Sequence, residues 1–221
     1  MICFVVALNK EAEYFIKNAK EVKPFLLKDK KAFSFKFLGE DCVLALSGIG
    51  KVSAALTTQA LIDEYNPKVI VNFGSAGGMT KDLNVLDYCI IDEACQFDFD
   101  VTVLDPVPVG YIQEYDRVFF PAIVPKNNTL IVKKVATADR FNNDVNDINQ
   151  IINMGASIRD LEGGAVAQVC QSNNTPLIMI KGISDVYGKV SAERQFVENL
   201  EIVSKGFTNV LKDVLTKFFE K

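Results

Sequence analysis

Three short apolar runs constrain the fold of this chain more than any other feature of its 221 residues. They span Ile2–Leu8, Val69–Phe73 and Pro176–Ile183, contain few polar residues and are rich in β-branched side chains. Strands without polar alternation are typically buried on both faces, as in a parallel sheet that helices cover. The segments between these runs favour helices, so the sequence predicts an α/β protein built on a central sheet.

The other predicted elements alternate along the chain in the same way. We predict helices from Asn9, as N-cap, to about Ala19, from Lys51 to about Glu64, and over Asn146–Met154, Glu162–Ser172 and Ala192–Phe219, and further strands over Phe33–Leu38, Cys42–Leu46, Asp87–Asp92 and Thr129–Ala136. This order predicts a three-layer sandwich with a mixed, mostly parallel central sheet. No linker-like segment interrupts it, so we expect a single domain over residues 1–221.

Three local patterns add detail to this prediction. The helix that begins at Lys51 has one apolar stripe, which is typical of a helix face packed on a core: Val52, Ala55, Leu56 and Ile62. G-S-A-G-G at residues 74–78 follows the second apolar run and predicts a tight turn whose backbone can approach a ligand closely. Val103–Pro125 contains four prolines and predicts a long loop.

Composition excludes several kinds of site and partner. A formal net charge of −4 argues against a nucleic-acid or anionic-membrane partner, because both usually require a basic face. Histidine is absent and the five cysteines form no C-x-x-C pair, so we expect no metal site and no Ser-His or Cys-His nucleophile. The odd number of scattered thiols and the short N-terminal apolar run indicate a cytoplasmic protein.

Acidic residues stand at the predicted ends of strands and beside the glycine-rich segment. Glu11 and Asp185 follow buried strands, and Glu162 opens a predicted helix. Each residue alone is more often a helix cap or a solvated charge than a catalyst. Ligands of open α/β sheets bind at the carboxyl ends of strands, however. The combination therefore predicts one cleft that contains three carboxyl groups.

Four ordered motifs resemble the nucleoside phosphorylase and nucleosidase superfamily, in particular its methylthioadenosine/S-adenosylhomocysteine nucleosidases. The motifs are S-G-I-G-K-V at 47–52, V-N-F-G-S-A-G-G at 71–78, D-L-E-G-G-A-V-A-Q-V-C at 160–170 and G-I-S-D-V at 182–186. The resemblance covers nearly the full chain and is weakest over Val103–Pro125. It implies cleavage of an adenine nucleoside without a metal or organic cofactor. It also implies a homodimer, in which a loop of the partner helps to cover the 5′ group of the substrate. The candidate segment is Val103–Val109, whose apolar residues could equally pack the loop onto its own domain.

The resemblance assigns a role to each acid. Asp185 is implied to be the general acid at the imidazole nitrogen of the purine, Glu162 to hold the ribose hydroxyls, and Glu11 to position and deprotonate the attacking water. Such roles suit an oxocarbenium-like transition state, in which the sugar gains positive charge and the base negative charge. The implied substrate-binding residues are Ser75, Ala76 and Gly77 beside the sugar, Leu161 under it, Phe141 and Asn142 at the adenine, and Phe196 at the 5′ group.

The arginines favour hydrolysis over phosphorolysis. Phosphate binding needs a dense set of donors, and the four arginines are Arg117, Arg140, Arg159 and Arg194. None stands where phosphorylases of the family carry theirs: Glu11 and Asn72 occupy those places. A phosphorylase with an atypical phosphate site and a non-catalytic nucleoside-binding protein remain the alternatives.

Three further residues depart from the family's pattern. Lys181 replaces a common arginine, Asn142 an apolar residue and Phe97 a common histidine. We expect them either to change the choice of the base or of the 5′ group, or to mark a divergent relative with weaker or different activity.

Overall fold

The computed structural model describes residues 1–188 and 191–220, which form ten strands and five α-helices. The strands are β1 Ile2–Val6, β2 Lys20–Leu27, β3 Lys30–Phe37, β4 Glu40–Leu46, β5 Val69–Gly78, β6 Tyr88–Gln96, β7 Phe120–Pro121, β8 Ile131–Thr137, β9 Ile158–Asp160 and β10 Leu177–Val186. The helices are α1 Asn9–Lys17, α2 Lys51–Tyr65, α3 Val145–Asn153, α4 Gly163–Ser172 and α5 Ala192–Phe219. None of these helices is long and apolar enough to cross a membrane.

The central sheet has the strand order β10-β6-β8-β9-β5-β1-β4-β3-β2, with β7 on β6. An additional pairing between β5 and β10 closes five of the strands into a ring. β5 lies parallel to both β1 and β10, whereas β2, β3 and β4 form an antiparallel outer part. The predicted mixed α/β sheet is therefore confirmed, and the carboxyl ends of β1, β5 and β10 meet at one edge.

Helices cover both faces of the sheet. α1 and α5 pack on one face around an aromatic cluster in which the ring centroids of Phe4 and Phe15 are 5.2 Å apart and those of Phe73 and Phe207 are 5.0 Å apart. α2 and α4 pack on the other face. The apolar runs of β1, β5 and β10 are buried between these layers, as their lack of polar alternation predicts.

α5 approaches the sheet unusually closely at a glycine. A Cβ atom at Gly206 would lie 1.9 Å from the Tyr88 hydroxyl, which donates a hydrogen bond of 2.6 Å to the Val203 carbonyl. No other residue type fits this contact without moving the helix away from β6. The first turns of α5 contribute Phe196 and Val197 to a cavity that Ser75 of β5 and Asp185 of β10 also line.

The predicted apolar stripe on α2 is only partly correct: Ile62 is buried, but the stripe is wrong in the first turns of the helix. Val52 and Leu56 are 71% and 64% exposed, while the buried face contains Ala54, Thr57 and Thr58. The two threonine hydroxyls each donate a 2.8 Å hydrogen bond to the carbonyl four residues earlier. Because these bonds satisfy the hydroxyls, threonine can be buried and the apolar side chains are left on the surface.

The predicted turn at Gly74–Gly78 is also wrong, because these residues continue β5. Their backbone pairs with β10 from Lys181 to Val186, and Gly77 and Gly78 pair with β9 as well. The sequence analysis missed β2 and β9, and it ended β10 before Asp185. The long proline-rich loop is confirmed, with one 3₁₀ turn at Gln113–Tyr115 and the short strand β7.

Candidate active site

A cavity of about 320 Å³ lies at the edge where β1, β5 and β10 end. All three predicted acids line it, and so do the predicted binding residues except one. The residues that line it as predicted are Glu11, Ser75, Ala76, Gly77, Phe141, Leu161, Glu162, Asp185 and Phe196. The exception is Asn142. The structure thus brings together residues that are far apart in the sequence.

Glu11 lies in the first turn of α1 and is buried. Its Oε1 accepts hydrogen bonds from the Ser75 backbone N–H at 2.7 Å and from the Ser75 hydroxyl at 2.6 Å, and its Oε2 accepts one from Leu8 N–H at 3.1 Å. Burial raises the pKa of Glu11, while the bonds from Ser75 and Leu8 and the charge of Lys181 act against that rise. The carboxyl group is therefore held in one orientation at the end of β1.

Glu162 occupies the N-cap position of α4, and its Oε1 accepts a hydrogen bond of 3.0 Å from the Gly50 backbone N–H. Burial, followed by the negative charge of Asp160, raises the pKa of Glu162 to about 7. The positive charge of Lys181 and the Gly50 bond act in the opposite direction. Gly50 belongs to the S-G-I-G-K-V motif, so that motif serves to orient a cavity carboxyl.

Asp185 lies at an irregularity in β10. The register with β5 shifts between Ile183 and Asp185, so that Asp185 pairs with Gly77. Its Oδ1 accepts a hydrogen bond of 2.8 Å from the Ser184 hydroxyl, and its Oδ2 is buried without a hydrogen-bond partner among the described residues. Burial raises the pKa of Asp185; the Ser184 bond and the charge of Arg159 oppose this. A Cβ at Gly77 would lie 2.8 Å from Oδ2, so a glycine is required beside this carboxyl.

A buried ion pair lies below the cavity. Lys181 Nζ is 2.7 Å from Asp160 Oδ2 and donates a hydrogen bond of 2.8 Å to Asn72 Oδ1. Asn72 in turn donates to the Val5 carbonyl at 3.0 Å, and Asp160 Oδ2 accepts from Gly163 N–H at 2.9 Å. The lysine does not line the cavity. It joins β10 to β1, β5 and β9 under the three acids.

The aromatic end of the cavity contains Phe141 and Phe196, with ring centroids 6.1 Å apart. Asn142 is turned away from the cavity: its Nδ2 donates to Asp147 at 2.9 Å and its Oδ1 accepts from Arg159 Nη1 at 3.1 Å. It therefore contacts a residue that lines the site instead of lining the site itself. Phe97 is fully buried outside the cavity, with the Arg140 guanidinium 5.3 Å from its ring.

The sequence analysis assigned no role in the site to three charged lining residues, Arg159, Asp160 and Glu193. Position along the chain was the available signal for two of them: Asp160 opens the third motif, and Arg159 directly precedes it. Within residues 1–188 and 191–220, no three His, Cys, Asp or Glu side chains are grouped as metal ligands would be. The site can supply a proton from a carboxyl with a free oxygen and can orient a nucleophile with a second carboxylate.

Comparisons with known proteins identify the family of the chain. The family model of the phosphorylase superfamily matches residues 1–216. The 5′-methylthioadenosine/S-adenosylhomocysteine nucleosidase of Buchnera aphidicola (strain Tuc7) is 32% identical over 235 residues, covering 99% of each chain. The nucleosidase of the same name from Bacillus licheniformis is 32% identical, covering 95% of this chain and 96% of its own.

Solved structures show the same fold. A putative 5′-methylthioadenosine/S-adenosylhomocysteine nucleosidase from Borrelia burgdorferi, bound to adenine, has a TM-score of 0.87 and 27% identity, covering 98% of this chain and 99% of its own. A nucleosidase of that name from Colwellia psychrerythraea, also in complex with adenine, has a TM-score of 0.88 and 26% identity, covering 98% and 94%. With the near-complete coverage of both sequence and fold, the chain belongs to the phosphorylase superfamily and, within it, to the 5′-methylthioadenosine/S-adenosylhomocysteine nucleosidases.

Proposed function

We propose that this protein hydrolyses the N-glycosidic bond of an adenine nucleoside, 5′-methylthioadenosine or S-adenosylhomocysteine, to adenine and the free thioribose sugar. The observation that carries the proposal is the convergence of three buried carboxyl groups, from Glu11, Glu162 and Asp185, on one cavity. The names of the relatives supply the substrates, and the adenine bound by two relatives of the same fold supports the base.

The first half of the reaction needs a proton at the base. When the bond between C1′ and the base breaks, its electron pair goes to the base, and protonated Asp185 donates to an imidazole nitrogen. The unpartnered Oδ2 of Asp185 is the atom available for that bond. Burial raises the pKa of Asp185, which favours the protonated form that the step requires.

The second half of the reaction needs a nucleophile at the sugar. Glu11 accepts the proton of a water molecule while the water oxygen bonds to C1′, and Ser75 and Leu8 hold the carboxyl group in place. We assign Glu162 to the ribose hydroxyls, Ser75, Ala76, Gly77 and Leu161 to the walls around the sugar, and Phe141 and Phe196 to the base and the 5′ group. Asn142 contacts Arg159 and does not touch the substrate in this proposal.

Water is favoured over phosphate by the charges near Glu11. Lys181 is the cation that acts on the Glu11 carboxyl, and it is already engaged by Asp160 and Asn72. An anionic phosphate beside Glu11 would therefore meet a carboxylate, and Lys181 is not free to offset its charge. For this reason the phosphorylase alternative has less support than hydrolysis.

A homodimer and a cytoplasmic single-domain protein complete the proposal. We group five exposed apolar side chains as the apolar patch: Ile49 just before α2, Val52 and Leu56 on it, and Val103 and Leu104 of the long loop. Lys51 of α2 forms an ion pair of 2.6 Å with Asp98, which lies between β6 and that loop. Patches of this kind are typical of protein interfaces, and a second copy of this chain is the proposed occupant. The five free, buried cysteines support a reducing compartment.

The first prediction tests the reaction itself. Purified protein incubated with 5′-methylthioadenosine should release adenine at the same rate with and without phosphate, and the sugar product should be free thioribose. Chromatography of the products measures both. Release that requires phosphate and yields a sugar 1-phosphate would show a phosphorylase, and saturable binding without products would show a nucleoside-binding protein.

The second prediction concerns Asp185→Asn, which keeps the shape of the side chain and removes its acidic proton. We expect kcat to fall by about 10²–10⁴-fold, whereas the dissociation constant of adenine should change little. Steady-state kinetics and calorimetry give the two values. Asp63→Asn, on the exposed face of α2, is the matched control and should leave kcat unchanged. Near-normal turnover of Asp185→Asn is incompatible with the assigned role.

The third prediction concerns pH and Glu162→Gln. Because the pKa of Glu162 is raised to about 7 in the folded protein, its stabilising contribution is complete below its unfolded pKa and is lost as the pH rises through 7. Glutamine cannot ionise, so the variant should gain about 1–3 kcal/mol in unfolding free energy over the wild type between about pH 5 and pH 8. Urea denaturation measures the difference. A variant that becomes relatively less stable with rising pH would contradict the shift.

The fourth prediction concerns the apolar patch. The protein should sediment as a dimer of the 24.5 kDa chain, and Leu56→Lys should shift it to the monomer, because a buried unpaired charge opposes association. Leu26→Lys is the matched control, since Leu26 is equally exposed but lies on the edge strand β2. Sedimentation velocity distinguishes the species. A wild-type monomer at micromolar concentration would remove the dimer proposal.

A further inference from the structure

Arg159 is a buried cation that the reaction described above does not use. Its side chain is only 4% exposed and lines the cavity. Within residues 1–188 and 191–220 its guanidinium donates one hydrogen bond, from Nη1 to Asn142 Oδ1 at 3.1 Å. The group also lies 5.6 Å from the centroid of the Phe141 ring. An arginine has five N–H donors, so most of its donor capacity is unused by the protein.

Arg140, in the same part of the chain, is an arginine whose guanidinium is paired with a carboxylate. It contacts the Asp147 carboxylate with two donors, at 2.7 Å and 2.6 Å, and its side chain is 45% exposed. Arg159 is more deeply buried than Arg140 and yet has no carboxylate within ion-pair distance among the described residues. Burying a charge is costly unless hydrogen bonds compensate for the loss of water. Because no unpartnered nitrogen of Arg159 is fully enclosed by the described residues and the side chain lines the cavity, its unused donors are available to a ligand there.

The sheet places Arg159 opposite the catalytic acid. Gly77 of β5 pairs with Arg159 of β9 on one side and with Asp185 of β10 on the other. Residues that pair across neighbouring strands share a face of the sheet, so both side chains rise from the same face as the glycine. The charges of Arg159 and Asp185 affect the pKa of one another, although the two groups form no ion pair. A ligand edge lying over Gly77 can therefore meet an acid and a guanidinium together.

We infer that the site also accepts nucleosides of a 6-oxopurine, and that Arg159 is the residue that recognises the oxygen at position 6. The inference rests on the proposed function and deepens it. A 6-oxopurine presents two adjacent acceptors, N7 and O6, whereas adenine presents the N7 acceptor and the N6 amino donor. Asp185 donates to N7 in both cases. The guanidinium of Arg159 donates to O6, and it has no acceptor to meet on the amino group of adenine.

Asn142 supports this role as a positioning residue. It accepts from Arg159 and donates to Asp147, and Asp147 is held by Arg140. This chain of contacts orients the guanidinium from behind, while the Phe141 ring covers one of its faces. This contact explains why asparagine replaces the family's usual apolar residue at position 142: its amide oxygen holds an arginine at the base end of the cavity.

The fifth prediction compares 5′-methylthioinosine with 5′-methylthioadenosine, which share the sugar and the 5′ group. The wild-type protein should release the base from both. Arg159→Met should lower the ratio of kcat/KM for the inosine over the adenosine derivative by about tenfold or more, the usual effect of losing a hydrogen bond from a charged donor. Arg194→Met, an exposed arginine on α5, is the matched control and should leave the ratio unchanged.

The outcomes separate this inference from the proposed function. Hydrolysis of the adenosine derivative alone, or a ratio that changes by less than about tenfold in Arg159→Met, overturns the role of Arg159. If neither nucleoside is cleaved, the proposed function fails. The role of Arg159 is then tested by calorimetry: Arg159→Met should change the ratio of the dissociation constants of hypoxanthine and adenine by the same factor of about tenfold or more. Circular dichroism checks the fold of the variant. If Arg159→Met does not fold, Arg159→Gln, which keeps one amide donor group, takes its place under the same criterion.

Discussion

The ion pair between Lys181 and Asp160 is the interaction on which the site depends. Its two groups are almost completely buried, at a nitrogen–oxygen distance of 2.7 Å, and Asn72 satisfies a further lysine donor. Removing one partner of such a pair typically costs about 3–5 kcal/mol, because the other charge is left buried and unpaired. The pair links strands that are distant in sequence, and its lysine lies near enough to Glu11 and Glu162 to act on the pKa of both carboxyls.

Above this pair, burial and local hydrogen bonds give each acid a different environment. Glu11 accepts three hydrogen bonds, Glu162 accepts one from a backbone N–H, and Asp185 keeps one oxygen without a partner. Burial raises the pKa of all three groups. Among the described residues, Asp185 Oδ2 is the one carboxyl oxygen of the three acids that is both fully buried and without a hydrogen-bond partner. The three acids thus differ in their hydrogen bonds more than in residue type, since two of them are the same amino acid.

The fold was largely predictable because its signal is local. Uninterrupted apolar runs predicted β1, β5 and β10, and the long terminal helix was predicted with the bounds that it has, Ala192–Phe219. The errors have tertiary causes. Gly74–Gly78 was predicted as a turn, but pairing on both sides keeps it extended. Val52 and Leu56 of α2 were predicted to be buried but are exposed, because threonines with satisfied hydroxyls occupy the buried side.

The sequence by itself determined the α/β class, the three acids and the family pattern, because these depend on residue type and order along the chain. Only the tertiary structure decided what surrounds them: which oxygen of Asp185 is free, where Lys181 finds its partner, and that Arg159 stands across Gly77 from the acid. The physical reason is that burial, charge proximity and strand register are properties of pairs of distant residues. Those pairs form only when the chain folds, so they cannot be read from a single sequence.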